Sequence, residues 1–246
     1  MKAGTPRVAR VCYRVDTVGG EDYDREVTAQ GFLGPFSYSL RARIATLVPT
    51  PVLADEAAAR ALLDPLIAAW NLDALLSLGP GAFQLNYIHT VLTDTAATGC
   101  AHEPEHELPP QLAHLIHSEY PAAPVALGVD ADVLLLAEEY SQLLRDPRRL
   151  VTSGRAFISL LDRRFIDRQT AARALCVDLR VLQRLAEITS SWGRRNRTDK
   201  ITTWKATRHI SKSERQWIVD LLRALTRRLA QHVAGANPVT LLTRLP

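Results

Sequence analysis

Cysteine is scarce in this chain. Cys12, Cys100 and Cys176 are its only three, and they lie far apart. An odd, sparse set excludes a disulfide framework and fits a reducing compartment. There is also no glycine-rich phosphate loop, no serine-centred nucleophile elbow and no kinase signature. These absences lower the expectation of a nucleotide-driven or hydrolytic enzyme. No stretch approaches the ~18 uninterrupted apolar residues of a membrane span. Met1 to Val11 is polar and basic, without the apolar core of a signal peptide. A cytoplasmic protein with no membrane partner is expected. Internal repeats and low-complexity tracts are missing too.

What is present is an ordinary globular composition, 47% hydrophobic and 23% charged over 246 residues. That length suits one large domain or two modest ones. The net charge of +4 conceals a strong asymmetry. Residues 1–132 carry 8 Lys/Arg against 16 Asp/Glu, and residues 133–246 carry 22 against 10. A basic half of this kind suits a polyanionic partner, or else neutralises the acidic half across an interface.

The pattern of apolar residues divides the chain in the same place. Val11, Tyr13 and Val15 alternate as in a half-buried strand, and Val27 to Phe32 forms a weaker one. Phe36, Tyr38, Leu40, Ala42, Ile44, Thr46 and Val48 alternate with Ser37, Ser39, Arg41 and Arg43, which predicts one strand with arginines outside. Asp55 and Glu56 open an alanine-rich helix that Pro65 is expected to kink or restart. Beyond the turn at Gly79-Pro80-Gly81, Phe83, Leu85, Tyr87, His89 and Val91 predict another strand face, with His89 buried. From Asp132 onward the period is helical. Asp146-Pro147, Asp167 and the Ser211-Glu214 pair supply helix starts. The expected fold class is α+β. An acidic N-terminal domain, 1–128, has an antiparallel sheet with a packed helix; a basic all-α bundle, 129–246, follows.

Four constellations carry chemistry. In Thr170 to Leu185, a small residue, Ala172, lies in a first helix, and Leu175 leads into a tight turn. Val177, Val181, Leu182 and Leu185 follow as core positions. This segment resembles the helix-turn-helix of bacterial DNA-binding proteins, with Cys176 where that family has glycine. The resemblance implies that Arg180, Gln183 and Arg184 face outward on a recognition helix, with donors suited to base edges. The alternative is a helical hairpin inside a bundle. Next, Trp192 and Trp204 are interleaved with Arg194, Arg195, Arg197, Lys205 and Arg208. Cations that release counterions, beside rings that stack on bases, suit single strands or RNA. Inward-turned tryptophans in a solvated loop are the alternative.

Arg227 and His232 are spaced as Arg-x4-His in the last helix, similar to the motif of HEPN-type ribonucleases. That resemblance implies metal-independent RNA cleavage, with the histidine moving a proton and the arginine stabilising the phosphate, usually across a dimer. Arg228 stands one residue later, at i,i+4 from His232, and the alternative is a solvated basic face. Finally, Cys100, His102, His106, His114 and His117 are potential zinc ligands, although no Cys-x2-Cys pair accompanies them. Otherwise no cofactor is expected. Together these readings favour a non-catalytic protein that binds nucleic acid, DNA or RNA, through its basic half. A HEPN-like ribonuclease is the first alternative. The second is a structural subunit of a larger complex or homodimer, in which the acidic half docks a partner or the basic half of another copy; an acidic protein surface is the alternative partner to nucleic acid for the basic half.

Overall fold

The structure, a computed structural model, describes residues 7–18, 20–24, 26–93, 115–190, 210–236 and 240–243. The chain divides into two compact units, Met1–Val125 and Ala126–Pro246.

The first unit is built on a five-stranded antiparallel sheet of order β3-β4-β5-β1-β6. Its strands are β1 (Val8–Asp16), β3 (Thr28–Leu33), β4 (Phe36–Arg41), β5 (Ile44–Pro49) and β6 (Gln84–Leu92). Two short strands, β2 (Glu21–Tyr23) and β7 (Leu115–His117), pair in parallel. The helix α1 (Glu56–Leu78) buries Ala59, Leu63, Ile67, Trp70 and Ala74 in one core with Val11, Tyr13, Val15, Phe36, Leu40 and Leu47. Asn71 ties α1 to β6: its side chain accepts from Leu85 N–H and donates to Leu85 carbonyl. By length and composition α1 would pass for a membrane-crossing helix, but its apolar side packs into this core.

Three expectations are corrected here. The alternation from Phe36 to Val48 runs through a hairpin, with a two-residue turn at Ala42 and Arg43, both left-handed (φ 47° and 66°). The turn shifts the pattern by one residue. Ala45 and Leu47 therefore face the core, while Ile44 and Val48 are exposed. Second, α1 does not restart at Pro65 but runs through it as one helix. Ala61 and Pro65 are both exposed, so water can satisfy the Ala61 carbonyl, which a proline four residues on leaves unbonded. Third, His89 is exposed. The β1–β6 register shifts between Cys12 and Tyr13, skipping Ile88, and this bulge changes the face that His89 occupies.

The second unit is helical: α2 (Ala131–Arg145), a 3-10 turn (Pro147–Arg149), α3 (Leu150–Phe165), α4 (Arg168–Ala174), α5 (Leu179–Ser190) and α6 (Lys212–Val233). Each start has a local cause. Asp130, Asp146 and Asp167 accept backbone N–H groups two or three residues on, at the starts of α2, the 3-10 turn and α4. Ser211 and Glu214 form a complete capping box. The core takes Val133, Leu136 and Leu143 from α2, Phe157 and Leu161 from α3, and Ile218, Leu222, Leu225 and Leu229 from α6. The α+β class is thus a sheet-and-helix unit followed by a helical one.

Candidate nucleic-acid interface

The helix pair α4–α5 is held by backbone chemistry at its turn. Leu175 ends α4, and Cys176 follows in the left-handed conformation (φ 53°). Cys176 N–H donates to Arg173 carbonyl at 3.2 Å, and Val177 N–H donates to Ala172 carbonyl at 2.8 Å. Together these form a Schellman closure, in which the residue after the cap favours glycine. Asp178 then starts α5, its carboxylate accepting Arg180 N–H and its carbonyl accepting Val181 N–H. The turn is braced from outside by Leu242, which receives Asp178 N–H and donates its own N–H to Cys176 carbonyl.

Ala172, Leu175, Val177, Val181, Leu182 and Leu185 are all buried. Arg180 and Gln183 are exposed, and neither side chain is hydrogen-bonded among the described residues. Arg184 is engaged: it meets Glu187 at 3.4 Å and Glu214 at 3.1 Å. Since Glu214 also closes the capping box of α6, Arg184 links α5 to the start of that helix. Much of the unit's positive charge is likewise committed. Arg164 sits between Asp130 and Asp132, Arg163 reaches Asp132, and Arg149 reaches Glu139.

Of the other candidate residues, only His117, Arg227 and His232 are among the described residues. Arg194, Arg195, Arg197, Lys205 and Arg208 lie outside the described residues, as do Cys100, His102, His106 and His114. His117 is on β7, with Nε2 2.9 Å from the Glu21 carboxylate and its ring stacked on Tyr23. Among the described residues no group of three or more His, Cys, Asp or Glu is arranged to hold a metal ion. On α6, His232 packs edge-on against the Phe165 ring, and Arg228 donates to Thr240 carbonyl at 2.6 Å. Arg227 is half-buried on the same helix.

One arrangement escaped the sequence reading. Arg155, Ser159 and Asp162 of α3, Arg168 of α4 and Thr189 of α5 line a cleft of about 370 Å³. The i, i+4, i+7 spacing on α3 was a readable signal for a shared polar stripe. That α4 and α5 close around this stripe was not readable. A comparison of the chain with family models, curated proteins and solved structures finds no match.

Proposed function

We propose that the protein binds nucleic acid through its helical unit, with α5 presented to a groove. The observation that carries this reading is the pair Arg180 and Gln183, exposed, one turn apart on α5 and, among the described residues, without side-chain hydrogen bonds. Several arginines of the unit, Arg149, Arg163, Arg164 and Arg184 among them, are tied to carboxylates, whereas these two side chains keep their donors for an external partner. Arginine pairs with guanine O6 and N7, and glutamine with adenine N6 and N7. The tight turn at Cys176 sets the start of α5, as in a helix-turn-helix, where residues near that start reach bases. Arg184, held by Glu187 and Glu214, orients α5 in this reading instead of touching bases. The surplus of Lys/Arg after residue 132 adds the sequence-independent attraction to phosphates.

Gel-shift titrations with duplex DNA, single-stranded DNA and RNA at low and moderate salt test the reading. Salt-dependent binding to one of them is expected. Arg180→Ala and Gln183→Ala should each weaken it by about five- to 150-fold, as the loss of a bidentate base contact does. Absence of salt-dependent binding to all three would remove nucleic acid as the partner. Binding that both variants leave unchanged would remove α5 as the reading element.

A further inference from the structure

The cleft between α3, α4 and α5 holds two guanidinium groups that are fixed in place yet incompletely used. Arg155 Nε donates to Thr189 carbonyl, in the last turn of α5, at 2.6 Å. This bond fixes the orientation of the group and leaves Nη2 shielded from solvent and, among the described residues, without a partner. Arg168 Nη2 reaches Asp162 Oδ2 at 3.3 Å, while Arg168 Nε and Asp162 Oδ1 are likewise shielded and unpartnered. A side-on arginine–carboxylate pair normally closes both bonds. Here only one is made. Shielded polar atoms without partners are costly and uncommon in folded proteins, so three around one cleft point to a missing ligand.

The unused atoms state what that ligand must offer. The guanidinium N–H groups and the exposed Ser159 hydroxyl seek acceptors. Asp162 Oδ1 seeks a donor. A carboxylate at neutral pH supplies acceptors only. A phosphate group supplies several oxygens in tetrahedral array and, with a second pKa near 6, also carries a proton for part of the time. We propose that this cleft is a phosphate-binding site in which Arg155 and Arg168 hold the phosphate oxygens and Asp162 accepts the phosphate hydroxyl proton. The volume of about 370 Å³ exceeds a bare phosphate and falls at the small end of ligand pockets. The proton that Asp162 accepts requires inorganic phosphate or a phosphate monoester, so the group belongs either to a free mononucleotide-sized molecule or to the terminal phosphate of a strand, since a backbone phosphodiester has no hydroxyl to give. The site does not depend on α5 entering a groove.

Isothermal titration calorimetry with inorganic phosphate, sulfate and adenosine monophosphate is the direct test. Phosphate is expected to bind, and sulfate, which has no proton to give at neutral pH, about tenfold or more weaker. Asp162→Asn should narrow that difference, because an amide can donate to sulfate. Arg168→Lys and Arg155→Lys should each weaken phosphate binding about tenfold, since an ammonium lacks the planar fork. Circular dichroism melts check that each variant folds. If Arg155→Lys loses its Thr189 contact and unfolds, Arg168→Lys and Asp162→Asn carry the test. A competing 5′-phosphorylated DNA or RNA strand, beside the same strand without its terminal phosphate, distinguishes the source: displacement of phosphate by the phosphorylated strand alone assigns the site to a strand end, and no displacement with tight adenosine monophosphate assigns it to a small molecule. No phosphate binding at roughly 10 mM, equal binding of sulfate, or indifference to the arginine variants would overturn the proposal.

Discussion

Arg43 donates its backbone N–H to the Tyr120 hydroxyl at 3.1 Å, joining a hairpin turn to a segment 77 residues away. The turn needs that support. Arg43 adopts φ 66° with no glycine in either turn position, and its own Nε reaches Val15 carbonyl at 3.1 Å. Left-handed backbone costs an L-residue about 1–2 kcal/mol. Burial pushes the Tyr120 hydroxyl pKa up, while the bond from Arg43 pulls against it, and the result is a raised value. The hydroxyl therefore stays neutral as an acceptor at ordinary pH. Tyr120→Phe keeps the ring stacked on Tyr23 and deletes the acceptor. It is expected to lower unfolding free energy by about 1–2 kcal/mol, read by urea denaturation. An unchanged midpoint would show that water replaces the hydroxyl.

This turn also marks where sequence reading runs out. Alternation locates strands well, because inward side chains must be apolar. It cannot see a reversal built from Ala42 and Arg43, since neither residue is a turn former. The cost of the turn is met by partners, Tyr120 and Val15, that are distant in sequence. The β-bulge opposite Cys12 and Tyr13 is hidden for the same reason, and so is the three-residue pair β2–β7. Helix starts were legible because caps are local: Asp55, Asp146, Asp167 and Ser211 each bond within their own first turn. The exposed pair Arg180 and Gln183 was legible from helical period. The phosphate cleft was not, because it needs three helices to close.

Gly154 on α3 faces Thr189 on α5 so closely that a Cβ at 154 would lie 2.6 Å from Thr189 Cγ2. Thr189 is fully committed there, its hydroxyl bonded to Leu185 carbonyl and its own carbonyl to Arg155. Gly154→Ala should destabilise the helical unit by about 1–3 kcal/mol through overpacking. Thr189→Ser removes only the offending methyl and keeps the hydroxyl. In the double variant most of the loss should return. A double-mutant cycle in urea that shows additive losses would mean the two helices separate instead of clashing.

Cys176 holds a left-handed position in a closure that favours glycine. Cys176→Gly should stabilise by about 0.5 kcal/mol, the relief of strain exceeding the greater entropy of the unfolded chain. Cys176→Val should destabilise by about 2 kcal/mol, since a β-branched residue resists positive φ. Thermal melts of the three proteins should therefore rank glycine above cysteine above valine. Valine equal to cysteine would show that the turn opens at little cost. Gel shifts on the same series would show whether binding follows the integrity of this turn.

Acid should loosen the start of α2. Burial raises the Asp130 carboxyl pKa, but Val133 N–H and the Arg164 guanidinium outweigh it and hold the group below 3.8. Because the folded value is lower than the unfolded one, the stabilisation is present above about pH 4 and is lost as pH falls through the folded value. Asp167 shifts in the same direction through Thr170 N–H, so the start of α4 weakens over a similar range. Asp130→Asn retains the capping oxygen and removes the charge that faces Arg164. The Asp130 side chain is 35% exposed, so solvent screening keeps the expected loss at neutral pH to about 0.5–1 kcal/mol. The gap between wild type and variant should close near pH 2, and added salt should narrow it at pH 7. A gap of equal size at both pH values would assign the effect to packing and leave the carboxylate charge without a role.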